Sequence, residues 1–231
     1  MHLVHVEHKL REHVDEAGGR NREEFRAARL HVINLMSAPG AGKTSLLERT
    51  LERAAGRWRL AVIEGDIQGD ADADRLARFG VPVRQIHTHG ACHLDPDQVA
   101  VAATTLNLAE LDILFIENVG NLVCPAEFDL GEEDRVMLLS VPEGHDKPAK
   151  YPLMFSTADL LLLNKWDLLP MTDFDPAEAR RAAMALNPGL ETLEISCRDG
   201  RGLDDWLDWL ERRHRHSLEH WNGHAHSHAE L

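Results

Sequence analysis

The sequence predicts an α/β protein with a mostly parallel sheet and helices on both faces. Three patterns point there. Short apolar runs alternate with amphipathic stretches from Leu30 onward, a Gly-rich loop follows the first run directly, and polar residues close several of the others. The strand candidates are Leu30–Met36, Leu60–Ile63, Val83–Ile86, Ile113–Ile116, Val136–Val141, Leu160–Leu163 and Leu193–Ile195. Between them, Thr44–Ala55, Asp72–Phe79, Asp97–Asn107 and Pro176–Asn187 space their apolar residues as helices do, and Leu203–His220 follows the last strand. Met1–Arg29 is dense in charge and reads as one or two helices interrupted at Gly18-Gly19. The expected organisation is an N-terminal helical extension (1–29), one α/β domain (30–213) and a flexible His-rich tail (214–231). Trp221–His228 offers no periodic apolar face.

The bulk composition narrows the function classes. A chain of 231 residues, 43% hydrophobic, can bury one good core. Against 25 basic side chains stand 39 acidic ones, a formal charge of -14, which lacks the concentrated positive footprint of a nucleic-acid partner. The charged N-terminus has no apolar signal segment and no later run is long enough to span a bilayer, so a cytoplasmic protein is expected. In a reducing compartment, Cys92, Cys124 and Cys197 read as ligands or inert thiols rather than a disulfide framework.

Ser37-Ala38-Pro39-Gly40-Ala41-Gly42-Lys43-Thr44 lies after the first strand and opens a helix, the setting a phosphate-binding loop requires. The candidate contacts are Gly40, Ala41, Gly42, Lys43, Thr44 and Ser45. Gly40 and Gly42 let successive N–H groups converge on phosphate oxygens, and the helix N-terminus adds its dipole. Lys43 is placed to reach the terminal phosphates and the Thr44 hydroxyl to meet Mg²⁺. The pattern's first Gly is replaced by Ser37. Asn164-Lys165-Trp166-Asp167 ends a later strand and matches the guanine-reading pattern, in which Asp167 accepts from the base N1–H and amino group. Adenine cannot offer those two donors. Ser196-Cys197-Arg198, after the last strand, stands where a second base-contacting loop belongs, with an inert Cys197. Asp66, in Glu64-Gly65-Asp66, and Glu117, in Glu117-Asn118-Val119-Gly120, close two strands and are expected to face Mg²⁺. Asp66 is also the candidate for positioning an attacking water. Asp70, Asp72 and Asp74 read as cap and surface charges. With no recognisable catalytic Gln or Arg finger, turnover is expected to be slow.

Cys92-His93 precedes the helix beginning near Asp97, and Cys124 lies just beyond Gly120. Thiolate and imidazole suit Zn²⁺ or Ni²⁺, but three ligands are one short of a closed tetrahedral site, so water or a second subunit would complete it. Histidine, 15 in all, gathers at both ends: His2, His5, His8 and His13, then His214, His216, His220, His224, His226 and His228. That pattern suits weak, multi-site metal holding. His87 and His89 are auxiliary ligand candidates.

Together these segments resemble the hydrogenase nickel-incorporation GTPases, the HypB family. The resemblance rests on Ser37–Thr44, Glu64–Asp66, Cys92–Asp95, the run from Ile116 to Glu132, Glu143–Pro148, Lys150–Pro152 and Asn164–Asp167, and spans roughly Arg20 to Leu210. It implies a P-loop GTPase of the SIMIBI class, GTP-dependent homodimerisation, and a Ni²⁺ or Zn²⁺ site of Cys92, His93 and Cys124 at the dimer interface. It also implies two partners, the nickel metallochaperone HypA and the hydrogenase large-subunit precursor. Some members carry a Cys-rich N-terminal nickel motif; Met1–Arg29 contains no Cys. His145 stands where the family pattern has an acidic residue. Two other readings compete. Urease accessory GTPases share the nucleotide loops but carry Cys-Pro-His, whereas Cys124-Pro125 is followed by Ala126. A metal-storage or sensing protein would not require Lys43, Thr44, Asp66, Glu117 and Asp167 to be intact.

Overall fold

The computed structural model describes residues 2–66 and 71–227, with side chains placed for 12–66 and 71–221. Met1, Asp70 and His228 lie outside the described residues, as do the side chains of His2, His5, His8, His224 and His226. All seven expected strands form, with ends shifted by a few residues: β1 (His31–Ser37), β2 (Leu60–Asp66), β3 (Val83–His87), β4 (Ile113–Glu117), β5 (Asp134–Ser140), β6 (Leu160–Asn164) and β7 (Glu191–Glu194). They lie in the order β3-β2-β4-β1-β5-β6-β7 and every neighbouring pair is parallel. The helices are α1 (His2–Ala27), α2 (Lys43–Arg53), α3 (Ala71–Ala77), α4 (Pro96–Ala103), α5 (Lys147–Lys150), α6 (Pro152–Ser156), α7 (Pro176–Leu186) and α8 (Leu203–Ser227). The helix expected over Asp97–Asn107 stops at Ala103 and gives way to a short 3-10 turn at Leu108–Glu110. Among the described residues no helix is long and apolar enough to cross a membrane.

Strand alternation sorts the core into two faces. Ile33 and Leu35 point with Val62, Phe115, Val136 and Leu138 onto α2 and α8, where Trp206 and Trp209 are fully buried. The opposite face is covered in two parts. Val32, Ile63, Leu114 and Ile116 meet α1 and α4, while Met137, Leu139, Leu161 and Leu163 meet α6 and α7. Asp95 caps α4 in a reciprocal capping box with Gln98, and Asp175 caps α7.

Two expectations fail. Gly18-Gly19 does not interrupt the N-terminal helix; α1 runs through both. Gly18 is pressed against the Asp129 carbonyl, so closely that a Cβ there would sit 2.4 Å from that oxygen. Asn21, buried, donates from Nδ2 to the carbonyls of Pro96 (2.8 Å) and Leu130 (3.1 Å), and Phe25 is buried in the core. This docking outweighs a glycine cost of about 1 kcal/mol per residue. The second failure is the tail. α8 continues without a break through His214 to Ser227. His31, fully buried, explains why: its Nε2 pairs with Asp134 Oδ2 at 2.7 Å and its Nδ1 meets the Ser217 hydroxyl at 3.2 Å. Arg213 also bonds Asp134. Burial alone would raise the Asp134 pKa, but His31 and Arg213 prevail and hold it below the ordinary carboxylate range. The residues from His214 to Ser217 are therefore part of the domain.

A chain cut after Arg213 loses the Ser217 contact and leaves a buried His31 nitrogen unpaired, at about 1–3 kcal/mol. Its melting temperature should fall by at least about 2–4 °C. An unchanged thermal melt would show that α8 beyond Arg213 contributes nothing to the domain.

Candidate functional site

Because all strands run the same way, their C-terminal ends share one rim, and the loops leaving β1, β2, β4 and β6 converge there. Register makes the convergence specific: Glu64 pairs with Glu117, and Leu35 also pairs with Glu117. The loop after β1 turns through Gly42, with φ 107°, into α2. A Cβ at Gly42 would sit 2.5 Å from Asn164 Nδ2, so the loop is packed tightly against β6. Lys43 and Thr44 are both buried. The Lys43 ammonium donates to Ser37 Oγ at 3.1 Å, which gives the serine a part to play where the pattern has Gly. Thr44 Oγ1 donates to Glu117 Oε1 at 2.8 Å.

The crevice holds buried charge of both signs. Burial lowers the Lys43 pKa below its usual value against the pull of Glu117, and burial raises that of Glu117 against the pull of Lys43 and Thr44. Glu64 is pushed up to about 8, by burial first and then by the Glu117 charge. Glu64 Oε2 and Glu117 Oε2 are buried with no hydrogen-bond partner among the described residues. Orphaned carboxylate oxygens beside a threonine hydroxyl and a lysine are a donor set that fits a hard divalent cation bound with phosphate oxygens. Asp66 lines the same crevice, of about 420 Å³, together with Asp72 and Arg75. Asp72, read above as a surface charge, thus faces the site while pairing with Arg75 at 2.7 Å. Glu64 was legible in principle: it lies two residues before Asp66 on one strand, so both point to one face.

A second cavity, of about 610 Å³, adjoins the first and shares Gly42, Ser45 and Lys165 with it. Its walls include Asn164, Asp167, Cys197 and Arg198. Each residue of the expected base-reading loop is held in place. Asn164 Nδ2 donates to Ala41 O (2.8 Å), Lys165 Nζ to Gly40 O (2.6 Å), and Ser196 Oγ to Asp167 Oδ1 (2.8 Å). Burial pushes the Cys197 thiol up to about 11, which suits an inert wall residue.

Cys92, His93 and Cys124 also come together, although the sequence separates them. One ligand atom from each can be chosen so that all three lie within 4.8 Å of one another. Cys92 Sγ is 2.7 Å from Cys124 Sγ and 3.7 Å from His93 Nδ1. The His93 ring stacks on Phe128, centroids 3.8 Å apart, a partner the sequence did not single out. Burial lowers the His93 pKa, favouring the neutral, ligating form. The Cys124 thiol is pushed up to about 11, first by its hydrogen bond with Cys92. His87 and His89 lie close to each other, with ring centroids 6.4 Å apart, but do not belong to the three-residue cluster. His145 does structural work: its Nδ1 accepts from the Asp175 N–H at 3.2 Å and its ring packs edge-on against Phe174.

Gly42→Ala should weaken GDP binding about tenfold or more, since the left-handed backbone alone costs about 1–2 kcal/mol with a side chain and the methyl would displace Asn164. Titration with a fluorescent GDP analogue measures this; wild-type affinity would show that the loop is not the phosphate cradle.

Known proteins resemble the chain over this whole arrangement. The CobW/HypB/UreG nucleotide-binding domain matches residues 31–194. The hydrogenase maturation factor HypB of Azotobacter vinelandii is 51% identical over 211 residues, covering 91% of this chain and 70% of its own. The hydrogenase/urease maturation factor HypB of Helicobacter pylori (strain 26695) is 36% identical over 220 residues, covering 94% and 90%. The crystal structure of HypB from Helicobacter pylori in complex with nickel superposes with a TM-score of 0.85 at 37% identity, covering 88% of this chain and 96% of that one.

Proposed function

This chain belongs to the HypB family of hydrogenase maturation factors, within the CobW/HypB/UreG nucleotide-binding proteins, and on that premise we propose that it is a GTPase that delivers nickel to a hydrogenase large-subunit precursor. The observation that carries the proposal is the Cys92, His93 and Cys124 cluster, reached by the segment that leaves the nucleotide crevice at Glu117. A soft, thiolate-rich ligand set suits a transition metal held as cargo. The nickel complex of the Helicobacter pylori relative supports nickel as that cargo.

GTP binds with its phosphates in the Gly40–Ser45 loop and its base against Asn164, Lys165, Asp167 and the Ser196-Cys197 loop. Thr44, Asp66 and Glu117 would hold Mg²⁺, which supplies charge neutralisation at the phosphates. Lys43 binds the terminal phosphate, and Asp66 orients the attacking water; hydrolysis yields GDP and phosphate. GTP pairs two copies of the chain, and the pairing supplies the coordination that three ligands leave open. Nickel arrives from the metallochaperone HypA and leaves to the precursor. Because metal binding to the paired state pulls the dimer equilibrium, nucleotide and metal each alter the other's affinity by the same factor.

Asp167→Asn should cut GTP affinity by about tenfold or more, since a hydrogen bond to a charged group contributes about 1.5–3 kcal/mol, and should turn preference toward XTP. Competition between GTP, XTP and ATP reads this directly; unchanged ratios would sink the assignment of the base pocket. Cys124→Ala should lose tight Ni²⁺ binding and the dependence of that binding on nucleotide, while GDP still binds. Titration with Ni²⁺ in GDP and in a non-hydrolysable GTP analogue tests it, with His224 and His226 replaced by Ser so that they do not compete. A variant that behaves as wild type in both states would remove Cys124 from the metal site.

A further inference from the structure

The nucleotide crevice and the Cys/His cluster are joined by a chain of hydrogen bonds, buried from Asn118 to Glu132 and half-buried at Arg135. Asn118 follows Glu117 and is 1% exposed. Its Oδ1 accepts from the backbone N–H of Leu94 at 3.2 Å and of Val119 at 2.9 Å, and its Nδ2 donates to Asn34 Oδ1 on β1 at 3.3 Å. Asn34 is fully buried and donates from Nδ2 to Glu132 Oε1 at 3.2 Å. Glu132, also buried, accepts from Arg135 Nε at 2.6 Å and from the Leu130 N–H at 2.7 Å. The rest of the Arg135 guanidinium reaches the carbonyls of Ala126 (3.3 Å) and Phe128 (3.0 Å).

The two ends of this chain are informative. One is Leu94, the neighbour of His93. The other is the stretch from Ala126 to Phe128, which follows Cys124 and carries the ring stacked on His93. Both halves of the cluster are therefore tied to the residue that follows Glu117.

Buried amides and carboxylates cannot exchange a lost partner for water, so a network of this kind shifts as a unit or leaves costly unpaired groups behind. Leu94 adds a steric tie to β2, because a Cβ on Gly65 would lie 2.6 Å from its side chain. A change at Glu117 when the crevice changes occupant has a direct route to Leu94 and a longer one, through Asn34, Glu132 and Arg135, to the Cys124 side.

We infer that the hydrogen-bond network of Asn118, Asn34, Glu132 and Arg135 is the positioning device that couples the state of the nucleotide crevice to the presentation of Cys92, His93 and Cys124. It rests on the reading of those two sites given above. None of Asn34, Glu132 and Arg135 is a metal ligand or a nucleotide contact; they act through the residues they hold.

The test is a thermodynamic cycle on the full chain, with His224 and His226 replaced by Ser throughout. Ni²⁺ affinity is measured in GDP and in a non-hydrolysable GTP analogue for the wild type, Asn34→Leu and Arg135→Lys. Asn34→Leu cuts the link between Asn118 and Glu132. Arg135→Lys keeps a cation beside Glu132 and loses the fork to the two carbonyls, a milder change that carries the test if the first variant fails to fold. The wild-type ratio of affinities is expected to lie roughly between five- and 150-fold. In both variants it should fall severalfold, with the direct Asn118–Leu94 route left intact, while GDP affinity stays near wild type, and the effect of Ni²⁺ on nucleotide affinity should fall by the same factor. A merely structural role would weaken Ni²⁺ binding equally in both states and keep the ratio, which overturns the inference and leaves the proposed function standing. A wild-type ratio of one would overturn both.

Discussion

A single direction of travel organises this molecule. With seven parallel strands, each C-terminal end emerges on one rim, and β1 at the centre of the sheet brings its Gly-rich loop between the ends of β4 and β5. The Glu64–Glu117 register sets two carboxylates side by side below that loop, and the bond from Thr44 to Glu117 joins loop to sheet. If β2 slipped by one residue against β4, Glu64 and Asp66 would turn to the opposite face and the crevice would lose its acidic wall. Burial on both faces by Leu, Ile and Val holds the register, so the apolar layers keep the charged site in order.

The site concentrates the energetic conflict that the core avoids. Lys43 and Glu117 are nearly inaccessible, and each is pushed toward its neutral form by burial while attracted to the other. A buried charge that is only partly compensated contributes little to stability and much to readiness for a ligand that completes it. Lys43 and the two buried, unpartnered carboxylate oxygens leave charge of both signs for such a ligand to complete.

The N-terminal helix belongs to the same logic. Through Asn21 it holds the carbonyls of Pro96 and Leu130, one just after His93 and the other just after Phe128. Arg22 bonds both oxygens of Asp129, at 2.6 and 2.7 Å. α1 therefore braces from outside the two segments that the Asn118 network braces from within. An extension read as separate from the domain is part of the frame that brings Cys92, His93 and Cys124 together.

Local pattern was enough for much of this. The alternation of apolar runs and amphipathic stretches announces the sheet, and Gly40, Gly42, Lys43 and Thr44 after one strand and Asn164 to Asp167 after another mark the loops that line the two cavities, because those signals depend on residues close together in the chain. The sequence likewise marked Cys92, His93 and Cys124 as candidate ligands by residue type, and the fold brings them together. What it could not decide depends on distant partners. Gly18-Gly19 looks like a break until Asp129 arrives to fill the space where a side chain would be. His214 to Ser217 look like the start of a polar tail until His31 and Asp134, far away in sequence, supply a buried hydrogen-bonding partner. Asn34 looks like an interruption in an apolar strand, yet it links Asn118 to Glu132. A polar or glycine residue carries no local sign of whether its partner is water or another part of the chain, and tertiary packing alone makes that choice.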